Sequence, residues 1–219
     1  GYHGWHDWYL SSNISNSNNL NTHLMKNLPI SGVPKNLGNT VFSFEYNNFE
    51  QLCKIVKKHK IGTIKMEVKR ISEPKNNFLK KIRNLATQNN IVLIFDECTS
   101  GFRQTFGGLH KFYNVEPDIA IFGKALGNGY AINAIIGRRS VMEYANKSFI
   151  SSTFWTERLG PSCALTFIKK HKKLKLGNKL NKIGKKIKNI WHKNAKRNKL
   201  DIEIFGIDPL ASFKLKCKN

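Results

Sequence analysis

Residues 91–97 read IVLIFDE, five apolar residues in unbroken succession and then two acids. A strand sends alternate side chains to opposite faces, so an apolar run without polar interruption predicts a strand covered on both faces. Such strands belong to parallel sheets inside α/β layers. The run also stops abruptly on Asp96 and Glu97. A carboxylate at the mouth of a buried strand needs a cation to hold: a metal, an arginine or a protonated ring nitrogen.

The flanking sequence supports the layered reading. Residues 48–59 place Phe49, Leu52, Ile55 and Val56 on one helical face, and 61–68 (IGTIKMEV) reads as a strand. Residues 74–90 predict a second helix, with Pro74 in its first turn and Phe78, Leu79, Ile82, Leu85 and Ala86 as its buried stripe. Two further strands are expected at 118–124 and 131–137. Alternation of helix and strand from 48 to 96 favours an α/β fold with a largely parallel sheet. Residues 11–40 are rich in Asn, Ser and Gly and read as a long loop. Residues 162–200 read as mostly helical, with Leu176, Leu180, Ile183, Ile187, Ile190 and Trp191 as a core-facing stripe that Gly177 and Gly184 weaken. Strand character resumes at 202–208.

The formal charge of +23 raises nucleic acid as a partner. It is concentrated, since residues 169–199 hold fourteen of the 37 Lys and Arg and no acid. Trp191 is the lone aromatic residue of the Trp, Tyr and Phe type in that run, which argues against stacking on single strands. The expected role of the run is a solvated basic face. No apolar stretch approaches the roughly 20 residues that span a bilayer. Cys53, Cys98, Cys163 and Cys217 form no CxxC pair, so neither zinc nor a disulfide framework is expected, and a reducing cytoplasm fits. His3, His6 and Asp7 raise a metal site, but no further ligand cluster joins them. The chain starts with Gly1 and stops soon after a strand-like run, so an internal piece of a longer protein is expected.

In a parallel α/β sheet, ligands bind beyond the carboxyl ends of the strands. Asp96 ends one apolar strand, and Lys124 follows another, DIAIFG. A lysine withdrawn from water loses basicity, and its neutral amine can condense with an aldehyde. Pyridoxal phosphate supplies an aldehyde, and a carboxylate facing its ring nitrogen keeps that nitrogen protonated. IVLIFDE also matches the strand of a nucleotide hydrolase that ends in a magnesium-binding Asp and a catalytic Glu. The phosphate loop such enzymes need, GxxxxGK[ST], is not in the chain.

YHG at 2–4, FDECTSGFR at 95–103, DIAIFGKALGNG at 118–129 and SSTFWTERLGP at 151–161 together resemble the successive landmarks of the class III aminotransferases. ISGVPKNLGNT at 30–40 is similar to the glutamate-1-semialdehyde aminomutase branch. The resemblance implies a fold type I pyridoxal-phosphate transferase, incomplete at both ends. Residues 1–185 would be part of the large cofactor domain and 186–219 the start of a small C-terminal domain. It implies that Lys124 forms the internal aldimine and then moves the α-proton, and that Asp96 pairs with the pyridinium. Tyr2 would stack on the ring with His3 beside it, Cys98 would pack on the opposite face where the family usually has Val, and Thr99 would lie near the ring hydroxyl. Glu67 matches a family Glu-Pro, here followed by Val68. Thr153 would reach the cofactor phosphate of a neighbouring subunit, which implies a homodimer. The family's Gly-Ser/Thr phosphate loop lies upstream of YHG, so the 219 residues alone are expected to bind cofactor poorly. The reaction implied moves an amino group from an amino-acid donor to a carbonyl acceptor. The alternative is an aminomutase, which moves it within one molecule.

Overall fold

The computed structural model describes residues 6–21, 27–69 and 71–216. It divides into two compact units, residues 1–61 and 62–219.

The first unit carries α1 (His6–Leu10), α2 (Ser12–Ser15) and α3 (Phe49–Lys58). Of the long loop expected over 11–40, residues 12–15 form α2 and residues 22–26 lie outside the described residues; the described part is tied down by polar side chains. Asn13 is buried and its Oδ1 accepts from Leu20 N at 3.0 Å, while Ser43 Oγ donates to Asn19 O at 2.9 Å. Asn48 caps α3 by accepting from Gln51 N.

The second unit contains the four-stranded sheet. Its strands are β1 (Thr63–Glu67), β2 (Val92–Asp96), β3 (Ile119–Phe122) and β4 (Ala134–Gly137), in that spatial order. β1, β2 and β3 run parallel and β4 is antiparallel at the edge, so the sheet is mainly parallel as expected. Between β1 and β2 runs α4 (Phe78–Gln88). The helix starts at Phe78 rather than at Pro74, because Asn76 and Asn77 both adopt left-handed backbone, which Asn tolerates better than most residues. The predicted stripe is otherwise seen: Phe78, Leu79, Ile82 and Ala86 are buried.

The two faces of the sheet differ. Ile64 and Met66 of β1 and Leu93 and Phe95 of β2 are buried. Lys65, Glu67, Val92, Ile94 and Asp96 alternate with them on the other face and are only half-buried. The apolar run of β2 therefore has one sealed face rather than two. The half-covered face is the one that carries Asp96.

The helix expected over 162–200 is two helices after a short α5 (Arg139–Met142): α6 (Leu159–Leu174) and α7 (Leu176–Arg197). Lys175 breaks them with a left-handed φ of 49°. The stripe on α7 is also not the one expected. Ile183, Ile187 and Ile190 are exposed, whereas Gly177, Gly184 and Ala195 are buried. A Cβ at Gly184 would collide with the Asp208 carbonyl, and one at Gly177 would meet Gln104 O at 2.6 Å. The glycines are the contact face, chosen for close backbone approach. β5 (Ile202–Phe205) and β6 (Ser212–Leu215) form a separate antiparallel hairpin, with Phe213 edge-on to Trp191 at 5.0 Å. Lys188 bridges to Asp208 at 3.0 Å and to Gly206 O at 2.7 Å.

This contact makes a prediction whose sign is diagnostic. Helix propensity alone would have Gly184→Ala gain about 1 kcal/mol. The collision with backbone reverses that, and a net loss of about 1–3 kcal/mol is expected in urea unfolding. A stabilised variant would mean that the contact is absent.

Candidate active site

Asp96 and Lys124 emerge at the carboxyl ends of neighbouring parallel strands. Asp96 is the last residue of β2 and pairs in register with Ile121 of β3, three residues before Lys124. Asp96 is fixed on both oxygens: Oδ1 accepts from Cys98 N at 3.0 Å, and Oδ2 lies 2.8 Å from Lys65 Nζ. Lys124 is exposed rather than withdrawn from water as expected, and its Nζ donates to Thr99 Oγ1 at 2.7 Å. Thr99 is three residues beyond Asp96, so the amine is tied to the loop that begins at the acid.

The backbone that delivers Lys124 is unusual. Its φ is 45°, a left-handed conformation that a non-glycine residue adopts at a cost of about 1–3 kcal/mol. Lys124 begins a single 3-10 turn, Lys124–Leu126, whose Leu126 sits in a buried cluster with Ala120, Phe122 and Ala164 of α6. That cluster holds the strained turn in place. Immediately before it, Gly123 faces Cys98 Sγ and the Asn133 amide. A Cβ there would lie 2.6 Å from the sulfur and would overlap Asn133 Oδ1.

The 97–110 loop is fastened from below. Glu97 is fully buried and accepts from His110 N at 2.8 Å, meets His110 Nδ1 at 2.9 Å and receives the Ser100 hydroxyl. Arg103 Nε donates to Thr99 O at 2.9 Å, so this arginine braces the loop. Phe102, also at positive φ (58°), packs among Phe106, Phe122, Phe167 and His171, and His171 Nε2 lies 2.9 Å from Phe102 O. At the opposite end of β3, buried Asp118 pairs with Arg83 at 2.8 Å and accepts from Leu93 N at 2.8 Å. The two acids of the DE pair thus have separate duties. Asp96 faces the sheet edge, and Glu97 is consumed in holding the loop, which leaves it no role as a catalytic base for nucleotide hydrolysis.

The other residues singled out from the sequence divide as follows. Cys98 is half-buried beside Gly123. Glu67 stands in register with Asp96 on the same face of the sheet. Thr153 is exposed, at the start of a turn over 153–156. Tyr2 and His3 lie outside the described residues. A cavity of about 310 Å³ in the first unit, bordered by Phe42, Ser43, Lys54 and His59, contains none of these residues. Lys65 joins the site beside these residues. It lies with Thr63 and Glu67 on the half-covered face of β1, a pattern that in sequence reads as a solvent-facing position.

The donor set fits pyridoxal phosphate. The ring needs an anchored acid for its nitrogen and an amine for its aldehyde, and both stand on one sheet edge with a side-chain-free glycine between Phe122 and Lys124.

Comparison with known proteins agrees with this geometry. The profile of the family described as Aminotransferase class-III matches residues 70–205, more than half of the chain. The chain is 36% identical over 177 residues to 3-aminobutyryl-CoA aminotransferase of Cloacimonas acidaminovorans, covering 77% of this chain and 39% of that protein. It is 32% identical over 232 aligned positions to glutamate-1-semialdehyde 2,1-aminomutase of Wigglesworthia glossinidia brevipalpis, covering 99% of this chain and 52% of that protein. The chain therefore spans about half, or less, of the length of these relatives. Among solved structures, it is similar to the Sphingopyxis sp. MTA144 FumI protein, with a TM-score of 0.84 at 18% identity over 99% of this chain and 50% of that one. It also resembles an omega-transaminase from Sphaerobacter thermophilus, with a TM-score of 0.83 at 20% identity over 100% of this chain and 52% of that one. At such identities the structural likeness establishes the fold. With the profile spanning the strand ends that carry Asp96 and Lys124, the chain belongs to the class III aminotransferase family.

Proposed function

We propose that the protein carrying this chain is a pyridoxal-phosphate-dependent aminotransferase, which moves an amino group from an amino-acid donor to a carbonyl acceptor. The observation that carries this reading is the placement of Asp96 and Lys124 at the ends of adjacent parallel strands, with Lys124 bonded to Thr99 on the loop that follows Asp96. When bound, the cofactor supplies an electron sink for the electron pair left at the substrate α-carbon. The chain's own residues do the rest. Lys124 would supply the amine for the cofactor's aldehyde and would move the proton at the substrate α-carbon. Asp96 would accept from the protonated ring nitrogen and so keep it protonated. Thr99 would orient the Lys124 amine. Cys98 and Glu67 would border the ring, and Tyr2 and His3 are assigned to it from the family resemblance.

A homodimer is part of this reading. Thr153 lies in a segment with Phe149 97% exposed, Phe154 72% exposed and Trp155 71% exposed. Apolar side chains so exposed and so close in sequence are suited to being covered by a second copy. Thr153 would then reach the phosphate held by that copy. We also assign residues 1–185 to the large domain and 186–219 to the start of the small one, with the separate β5–β6 hairpin as support. The assigned boundary lies inside α7. The location assigned is the cytoplasm, which suits the free thiols of Cys53, Cys98 and Cys163. No helix of the described residues is long and apolar enough to cross a membrane.

The aminomutase reading is favoured by the similarity to glutamate-1-semialdehyde 2,1-aminomutase along 99% of the chain. One assay separates the two. Full-length protein given an amino-acid donor alone should release the matching keto acid, one equivalent per site, and should turn over continuously once a carbonyl acceptor is added. Interconversion of a single amino aldehyde, with no keto acid released, would establish the mutase instead.

A further inference from the structure

We infer that Lys65 is a positioning residue that sets how strongly Asp96 grips the ring nitrogen of the cofactor; this rests on the pyridoxal-phosphate reading above. The observation is the 2.8 Å ion pair between Lys65 Nζ and Asp96 Oδ2, with side chains only 17% and 15% exposed. Water screens a pair this sheltered far less than one at the surface. Strand geometry imposes the contact. Lys65 and Glu67 share a face of β1, and their register partners on β2 are Ile94 and Asp96. A four-carbon stem from position 65 therefore reaches along the sheet to the acid at the end of the next strand.

Three consequences follow from the charges. Lys65 occupies one carboxylate oxygen, and Cys98 N–H fixes the other, so the plane of the carboxylate is set before any ring arrives. The ammonium also balances two acids that would otherwise stand side by side, since Glu67 and Asp96 are in register. Finally, the ammonium is a like charge for a pyridinium. It subtracts from the attraction that Asp96 alone would exert, and so it moderates the cofactor as an electron sink.

The test compares pyridoxal phosphate with a deaza analogue in which carbon replaces the ring nitrogen. Dissociation constants for both are measured by titration of the full-length protein, and selectivity is their ratio. Lys65→Met removes the opposing charge, so selectivity for pyridoxal phosphate over the analogue should rise about tenfold, a modest Coulomb effect at an effective dielectric near 20. Lys65→Arg keeps the charge and should keep the parent ratio. A merely structural role would weaken both ligands alike and leave the ratio unmoved, and that result overturns the inference. If Lys65→Met does not fold, Lys65→Gln is read in the same way. Failure of the underlying cofactor reading is separately visible: the parent would form no borohydride-reducible coloured adduct, or Lys124→Ala would still form it.

Discussion

Lys124→Ala abolishes the coloured, borohydride-reducible adduct with pyridoxal phosphate and lowers turnover by about a hundred- to ten-thousandfold, the range a positioned proton-transfer group contributes. The loss is expected to be chemical rather than structural. Lys124 is exposed, and its side-chain amine donates to Thr99. Its backbone is held at a φ of 45°, where alanine is no more strained than lysine. The fold should therefore survive with unchanged unfolding midpoint, and pyridoxal phosphate should still bind, reversibly and without the visible adduct. The spectrum and the stability must part company. A variant that loses colour because it unfolds would not support the assignment.

Asp96→Asn should show the opposite pattern, with the adduct kept and turnover lowered by about a hundred- to a thousandfold, as for the loss of one preorganised electrostatic contact. The amide retains the shape of the carboxylate and can still accept from Cys98 N. It can no longer stabilise a proton on the ring nitrogen. It also leaves the Lys65 ammonium without the carboxylate partner that now lies 2.8 Å away. A ring nitrogen bound there would face the Lys65 ammonium with no Asp96 charge to offset it, so cofactor affinity should fall as well. Removing Lys65 in the same molecule should return part of that affinity, and the double-mutant cycle gives the coupling directly. Independent effects in the cycle would place the two side chains in separate environments.

Much of this arrangement was legible before any coordinates. The strand at 92–96, its helix at 78–88 and the strand before Lys124 follow from apolar periodicity and from the placement of acids and glycines. Asp96 and Lys124 could be read as one site because parallel topology brings strand ends to the same edge. What the sequence hid depended on tertiary contacts. Gly184 looks like a weak point in a helix until Asp208 is found against it. The break falls at Lys175 itself, which is neither Pro nor Gly, while nearby Gly177 lies inside α7 as a contact residue. Glu97 looked like the twin of Asp96, yet alternation turns the two side chains to opposite sides, and His110, thirteen residues on, claims Glu97. A lysine in a strand, such as Lys65, reads as a solvent-facing residue, and only register shows it reaching Asp96.

The central claim is that the amine which captures pyridoxal phosphate belongs to residue 124. Reduction of the full-length protein with borohydride in the presence of pyridoxal phosphate, followed by proteolysis and peptide mass mapping, tests it at the level of one atom. The account predicts a single phosphopyridoxyl group, on the peptide containing Lys124. Label on Lys65, label scattered among the lysines of α6 and α7, or no label at all would contradict it.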